Sequence, residues 1–152
     1  MTNAMVLRAL RRVDVPEPVL VVQPPGGKTL VNLETIFSTT AEPFTATVRI
    51  LGRRVDLRIT PRSFVWDHGD GTTQRSNTPG RPYARGVAMD RYLTHTYTHA
   101  DVTLRPHVSV EYAARFRVDN GAWRDVNGTV TIRGPGQRLQ IVEATPVLVT
   151  PR

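Results

Sequence analysis

The sequence contains no cysteine, a single lysine and no long apolar run, and each shortage narrows the classes of protein that it fits. Without cysteine there is no disulfide framework and no thiol chemistry, so an apolar core must hold the fold. No run reaches the roughly 20 apolar residues of a membrane helix, so no transmembrane segment is predicted. Residues 1–12 are basic but lack the apolar stretch of a signal peptide.

The charge of the chain is strongly basic and almost entirely due to arginine. All 20 basic residues except Lys28 are arginine, and 13 acidic residues leave a formal charge of +7. The arginines are scattered instead of forming a tract, which favours a solvated basic surface over a nucleic-acid interface. We therefore expect no nucleic-acid partner. The 152 residues are the length of one domain with a sizeable core.

Apolar and polar residues alternate with a period of two over most of the chain after Lys28, which is typical of strands. Residues 45–51 and 55–60 are predicted to form a hairpin around Gly52-Arg53, and residues 102–112 a long strand. Short strands separated by turn residues predict an all-β, antiparallel β-sandwich with about eight or nine strands.

The first residues are predicted to differ from this domain. Prolines between positions 16 and 25 exclude a helix there, and only residues 19–22 offer an apolar edge strand. We expect an N-terminal extended arm over residues 1–27 that proteolysis detaches in part. A sandwich domain over residues 28–144 and a tail over residues 145–152 complete the predicted organisation.

The chain is organised around residues 64–72, which read FVWDHGDGT. Phe64, Trp66 and His68 fall on one face of an extended strand, so Trp66 is predicted to lie in the core. The Gly69-Asp70-Gly71 segment then breaks the strand, because glycine allows positive φ and aspartate accepts hydrogen bonds from turn N–H groups.

The segment Trp66-Asp67-His68-Gly69-Asp70-Gly71, followed by His95-Thr96-Tyr97, resembles the signature of the PKD (polycystic kidney disease repeat) domain. That family is an immunoglobulin-like β-sandwich. His68 stands where the family has Phe, and Ala100-Asp101-Val102 stands where it usually has Gly-x-Tyr. The resemblance covers about residues 44–132, and the chain also looks like exported actinobacterial proteins with one such domain. It implies structural roles for Trp66, Asp67, Gly69, Asp70, Gly71, His95 and Tyr97.

The resemblance further implies a non-catalytic, extracellular domain that binds protein or polysaccharide at the bacterial cell surface. The alternative is a carbohydrate-binding accessory domain of a secreted hydrolase. That alternative requires exposed aromatic side chains in a row on one face, and Tyr83 and Trp123 are the candidates. No nucleophile beside a base and no acid–base pair nominates an enzyme.

Two sets of residues suggest a metal site, and each also has a structural interpretation. Asp67 and Asp70 superficially match a calcium loop but lack its acidic ladder, so they are interpreted as turn caps and no cofactor is expected, with Ca²⁺ as the alternative. His95 and His99 have a zinc-like spacing for a helix. On a strand they stand about 13 Å apart, too far to share one ion.

The predicted contact surface is the loop from Gly80 to Asp90. Loops at the ends of a sandwich carry binding while the strands hold the frame. Arg81, Tyr83 and Arg85 are residue types that often anchor interfaces, and Trp123 is a further binding candidate outside the loop.

Overall fold

The computed structural model describes residues 1–144, which form a β-sandwich preceded by a short helix. The elements are α1 (Asn3–Leu10), β1 (Leu20–Gln23), β2 (Lys28–Leu30), β3 (Glu34–Thr39), β4 (Phe44–Ile50), β5 (Arg53–Asp67), β6 (Thr73–Ser76), a 3₁₀ turn (Met89–Arg91), β7 (Leu93–Thr96), β8 (Val102–Leu104), β9 (His107–Val118), β10 (Arg124–Asp125), β11 (Val130–Arg133) and β12 (Leu139–Val142). No helix within residues 1–144 is long and apolar enough to cross a membrane.

The strands form three sheets that enclose one core, which confirms the predicted all-β sandwich. The largest sheet has the order β10-β9-β5-β4, with β6 on β5 and β11 on β9. Its centre is the long antiparallel pair of β5 and β9. The second sheet is β1-β3-β7, and the third is β2-β12-β8, in which β12 runs parallel to β2. Alternate residues of β9 are buried, as its period of two predicted.

The predicted β4–β5 hairpin is present, but its turn lies one residue earlier than expected. Ile50 pairs with Arg53, so the loop is Leu51-Gly52, with φ of 53° and 76°. Pro61 does not end the strand as predicted. The chain forms a bulge between Pro61 and Ser63 and continues to Asp67, because a bulge accommodates a residue that has no N–H to donate.

The N-terminal segment differs from the extended arm that the sequence predicted. Residues 3–10 form a helix ahead of the prolines, with the Thr2 hydroxyl accepting a hydrogen bond from the Met5 N–H. Val6 and Leu10 are fully buried in the core, and β1 pairs with β3. Residues within 1–27 thus pack against the sandwich through α1 and β1, and their partial release by proteolysis stays a prediction. The predicted tail, residues 145–152, lies outside the described residues.

The loop that follows the motif turn is shorter than expected, because part of it is a strand. Residues 73–76 form β6, which pairs with the end of β5 from Asp67↔Thr73 to Phe64↔Ser76. Gly80 bridges to Ser38, and a Cβ there would lie 2.6 Å from the Phe37 carbonyl oxygen, so this close approach requires glycine. The loop is therefore fastened to β3 before it reaches its exposed residues.

Candidate functional site

Trp66 lies in the core at the end of β5, where the alternation predicted it. Its side chain is 1% exposed, and its ring stacks on Phe64 with 6.2 Å between centroids. The indole Nε1 donates to the Ser76 hydroxyl at 2.9 Å. Trp66 therefore packs the core and also holds β6 against β5.

The turn after Trp66 uses both motif aspartates. Asp67 Oδ1 accepts a hydrogen bond from the Gly69 N–H at 2.9 Å, and Asp70 Oδ1 accepts one from the Thr72 N–H at 3.0 Å. Gly69 and Gly71 have φ of 81° and 88°, values that glycine adopts without strain. The carboxylates are thus turn caps, as the sequence predicted.

The second half of the motif lies directly against the first. His95 Nε2 and Asp70 Oδ2 are 2.7 Å apart, and the Tyr97 hydroxyl donates to the His68 carbonyl at 2.7 Å. β5 belongs to the largest sheet, whereas His95 lies on β7 of the β1-β3-β7 sheet. The motif therefore fastens two sheets of the sandwich to each other.

Between these halves lies a pair of stacked histidines that the sequence did not reveal. The rings of His68 and His95 are 3.8 Å apart and parallel to within 3°. His68 is 1% exposed, and its Nε2 lies 3.2 Å from Gln74 Oε1. Because that oxygen accepts, Nε2 carries the proton, and the buried Nδ1 has no partner within residues 1–144.

The environment fixes the charge states of this cluster. Burial, followed by the charge of His95, lowers the pKa of His68 to about 4, so His68 is neutral at pH 7. Burial opposes ionisation of Asp70, but hydrogen bonds from Thr72 and His95 outweigh it and leave its pKa below the usual value. Burial, with the charges of the two aspartates, raises the pKa of Tyr97.

The motif has few groups left for chemistry. Both aspartates are engaged with the turn, and Asp70 also bonds His95. The described residues contain no group of three or more His, Cys, Asp or Glu side chains that could hold a metal ion. The His99 Nδ1 lies 3.1 Å from the hydroxyl of its neighbour Thr98. This arrangement favours a structural role.

Calcium is expected to leave the stability of the protein unchanged. A tight site needs about six to eight oxygen ligands, and the carboxylates of Asp67 and Asp70 already accept N–H groups of the turn. Thermal unfolding followed by circular dichroism should give the same Tm with millimolar calcium and with chelator. A rise of several degrees with calcium would make these aspartates ligands and contradict this account.

The predicted contact loop presents one exposed aromatic ring, Tyr83, stacked on the buried Tyr92. Tyr83 is 55% exposed and stacks on Tyr92 at 6.0 Å between centroids, and the Arg81 guanidinium lies 6.0 Å from the Tyr92 ring. The Tyr92 hydroxyl bonds both the N–H and the carbonyl of Ala84 at 2.8 Å. A shallow cavity beside the stack is lined by Gln74, Thr78, Gly80, Arg81, Arg91, Tyr92 and Leu93.

Trp123 does not lie beside the contact loop but against the largest sheet. Its ring is 4.1 Å from the Arg58 guanidinium and 4.9 Å from that of Arg117, both on the largest sheet. Tyr83 instead bonds Gln23 of β1 through its backbone N–H. The structure thus brings Tyr83 and Arg81 together but does not bring Trp123 to them. Arg85 is exposed on the same loop as Tyr83.

No protein-family model matches this chain, and searches of curated proteins and of solved structures likewise gave no match.

Proposed function

We propose that this chain is a PKD-type, non-catalytic binding domain that acts outside the bacterial cell and contacts an acidic polysaccharide through the loop of residues 80–92. The observation that carries the proposal is the exposed Tyr83 ring, which stacks on the buried Tyr92 beside Arg81. The PKD assignment and the extracellular location rest on the sequence resemblance of residues 66–97.

The geometry of the motif supports that assignment. The two halves of the signature, separated by more than twenty residues in the chain, contact each other through Asp70–His95 and Tyr97–His68. Its polar groups are used within the turn or between the sheets. Because the motif residues hold the sandwich together, binding is left to the loops at the ends of the sandwich.

The loop has the chemistry that an acidic polysaccharide requires. A flat aromatic face stacks on sugar rings, and guanidinium groups bind carboxylate or phosphate groups in two-pronged hydrogen bonds. Arg81 and Arg91 line the cavity beside Tyr92. Because Tyr92 and Gln23 anchor the loop backbone, little conformational entropy is lost when a ligand binds.

The alternative, a carbohydrate-binding accessory domain of a secreted hydrolase, has less support. It calls for several aromatic side chains in one row, whereas Tyr83 and Trp123 belong to surroundings on different sheets. A single exposed tyrosine with nearby arginines fits a short, charged segment of polymer better than a long neutral chain.

The proposal is tested by a sedimentation assay that compares how tightly the unaltered chain and its variants bind to isolated cell walls of a Gram-positive bacterium. A Tyr83→Ala, Arg81→Ala variant should bind about tenfold more weakly than the unaltered chain, because it loses both the stacking face and one cation. Its Tm should not change. Binding by the unaltered chain should weaken with added salt, since screening reduces exposed charge interactions.

The matched control is a Trp123→Ala, Arg58→Ala variant, which removes the same two residue classes from the other surface and should bind normally. If both variants bind like the unaltered chain, the loop is not the contact surface. Loss of binding after protease treatment of the walls would indicate a protein ligand instead of a polysaccharide.

A further inference from the structure

The tip of the β4–β5 hairpin carries an apolar residue that folding does not explain. Leu51 is 75% exposed, the largest exposure among the large apolar side chains of the described residues. It also has a positive φ of 53°. An exposed side chain buries no surface, and a bulky residue in the left-handed region is strained.

The turn type makes the choice of leucine more unusual. A two-residue hairpin loop with positive φ at both positions is a type I′ turn, for which Asn-Gly is the favoured sequence. Gly52 meets this requirement with φ of 76°, and Leu51 does not. A strained residue at an exposed tip points to a role in binding.

Several arginines surround the same tip, and three of them make no ion pair within the described residues. A shallow cavity next to Leu51 is lined by Met5, Arg8, Ala9, Arg12, Val13, Val48, Arg49, Ile50 and Leu51. Nearby, Arg53 pairs with Asp119 at 2.8 Å and Arg54 with Asp56 at 3.1 Å. Arg8, Arg12 and Arg49 make no ion pair within residues 1–144, so the excess charge at the tip is positive.

We infer that this tip, defined by Leu51, Arg49, Arg8 and Arg12, docks on an anionic phospholipid surface. Leu51 enters the apolar layer while the guanidinium groups bind lipid phosphates.

The order of the groups favours a bilayer over a protein partner. Leu51 is at the end of the hairpin, and Arg49 and Arg53 lie two residues behind it on the two strands. A bilayer has the same order, with an anionic layer over an apolar one. One projecting leucine needs no shaped pocket in a bilayer, whereas a protein partner must supply one.

This surface is independent of the proposed polysaccharide site. The tip adjoins Arg53, the first residue of β5, whereas the motif turn follows Asp67 at the other end of that strand. A straight strand of that length spans about 45 Å. Failure of either proposal therefore leaves the other intact.

The test is sedimentation of the full chain with vesicles of phosphatidylcholine alone and of phosphatidylcholine with phosphatidylglycerol. The chain should bind the anionic vesicles and not the neutral ones. Leu51→Asn should reduce this binding about tenfold while raising the Tm by about 2–4 °C, because asparagine tolerates positive φ. A gain in stability together with a loss of binding separates docking from folding.

An Arg8→Gln, Arg12→Gln variant should also bind anionic vesicles about 25-fold more weakly, since each arginine near such a surface contributes about fivefold. Two controls match these changes. Arg133→Gln, Arg138→Gln removes the same charge from exposed positions outside the tip, and Leu33→Asn removes another exposed leucine, 56% exposed. Both should bind like the unaltered chain.

Three results would overturn the proposal. The chain fails to bind anionic vesicles, or Leu51→Asn binds them as well as the unaltered chain, which would leave only adsorption of a basic protein. The third result is a dimer, seen by sedimentation velocity, that Leu51→Asn abolishes. It would mean that the tip binds a second copy of this chain.

Discussion

Replacing Trp66 with alanine is expected to lower the free energy of unfolding by about 3–5 kcal/mol, the range for a large aromatic residue removed from a core. The ring is 1% exposed and packed on Phe64, and its Nε1 bonds Ser76 of β6. The variant therefore leaves a cavity and also leaves the Ser76 hydroxyl with one partner fewer. Urea unfolding followed by circular dichroism measures the loss, which is a large share of the stability of a typical domain.

Trp123→Ala is the matched control for that experiment. Trp123 packs beneath the guanidinium groups of Arg58 and Arg117 at the surface of the largest sheet. Its removal should cost about 1 kcal/mol or less, the scale of exposed cation–π contacts. Equal losses in the two variants would show that Trp66 is not the residue on which the core depends.

Acidification from pH 7 to pH 4 is expected to remove about 3 kcal/mol of stability through His68. The pKa of His68 is lowered from 6.5 to about 4 by burial in the folded protein. The unfolded chain therefore takes up a proton below pH 6.5 while the folded protein does not, so stability falls as the pH falls through that window. Asp70, whose pKa is also lowered, adds a further loss in the same direction at lower pH.

The groups around His68 explain why the folded protein resists its protonation. Its ring is stacked on His95, its Nε2 already donates to Gln74, and its buried Nδ1 has no acceptor within the described residues. Asp67 and Asp70 attract a proton to His68, but burial and the charge of His95 are the larger effects.

His68→Phe supplies the control, because the family that the motif resembles has Phe at this position and Phe cannot be protonated. Between pH 7 and pH 4, its free energy of unfolding should fall by less than that of the unaltered chain. The difference between the two losses should be about 3 kcal/mol. Urea midpoints at a series of pH values measure this. Identical pH profiles for the two proteins would mean that folding does not lower the pKa of His68, contrary to its buried position.

Much of the fold was predictable because alternation records which face of a strand is buried. The run from Val55 to Thr60 predicted its hairpin partner, and the spacing of Phe64, Trp66 and His68 predicted that all three face the core. These predictions succeeded because they depend on residues close in sequence or on one repeated pattern.

The errors have equally specific causes. The helix at residues 3–10 was missed because the prolines beyond it dominated the interpretation. Thr2 as a cap and the i, i+4 spacing of Val6 and Leu10 were available as signals. The polar residues of β6 predict a loop, but they pair with β5 across a tight turn. The His68–His95 stack depends on contact between distant strands, which no local pattern encodes.

The central claim of this account is that the motif holds the sandwich while binding takes place on the loop of residues 80–92. Sedimentation of His68→Phe with isolated cell walls at neutral pH tests it most directly, since this variant alters the motif and should remain folded. We expect it to bind as tightly as the unaltered chain, while Tyr83→Ala, Arg81→Ala in the same assay binds about tenfold more weakly. A folded His68→Phe protein that no longer binds the walls would place the binding site in the motif and contradict the account.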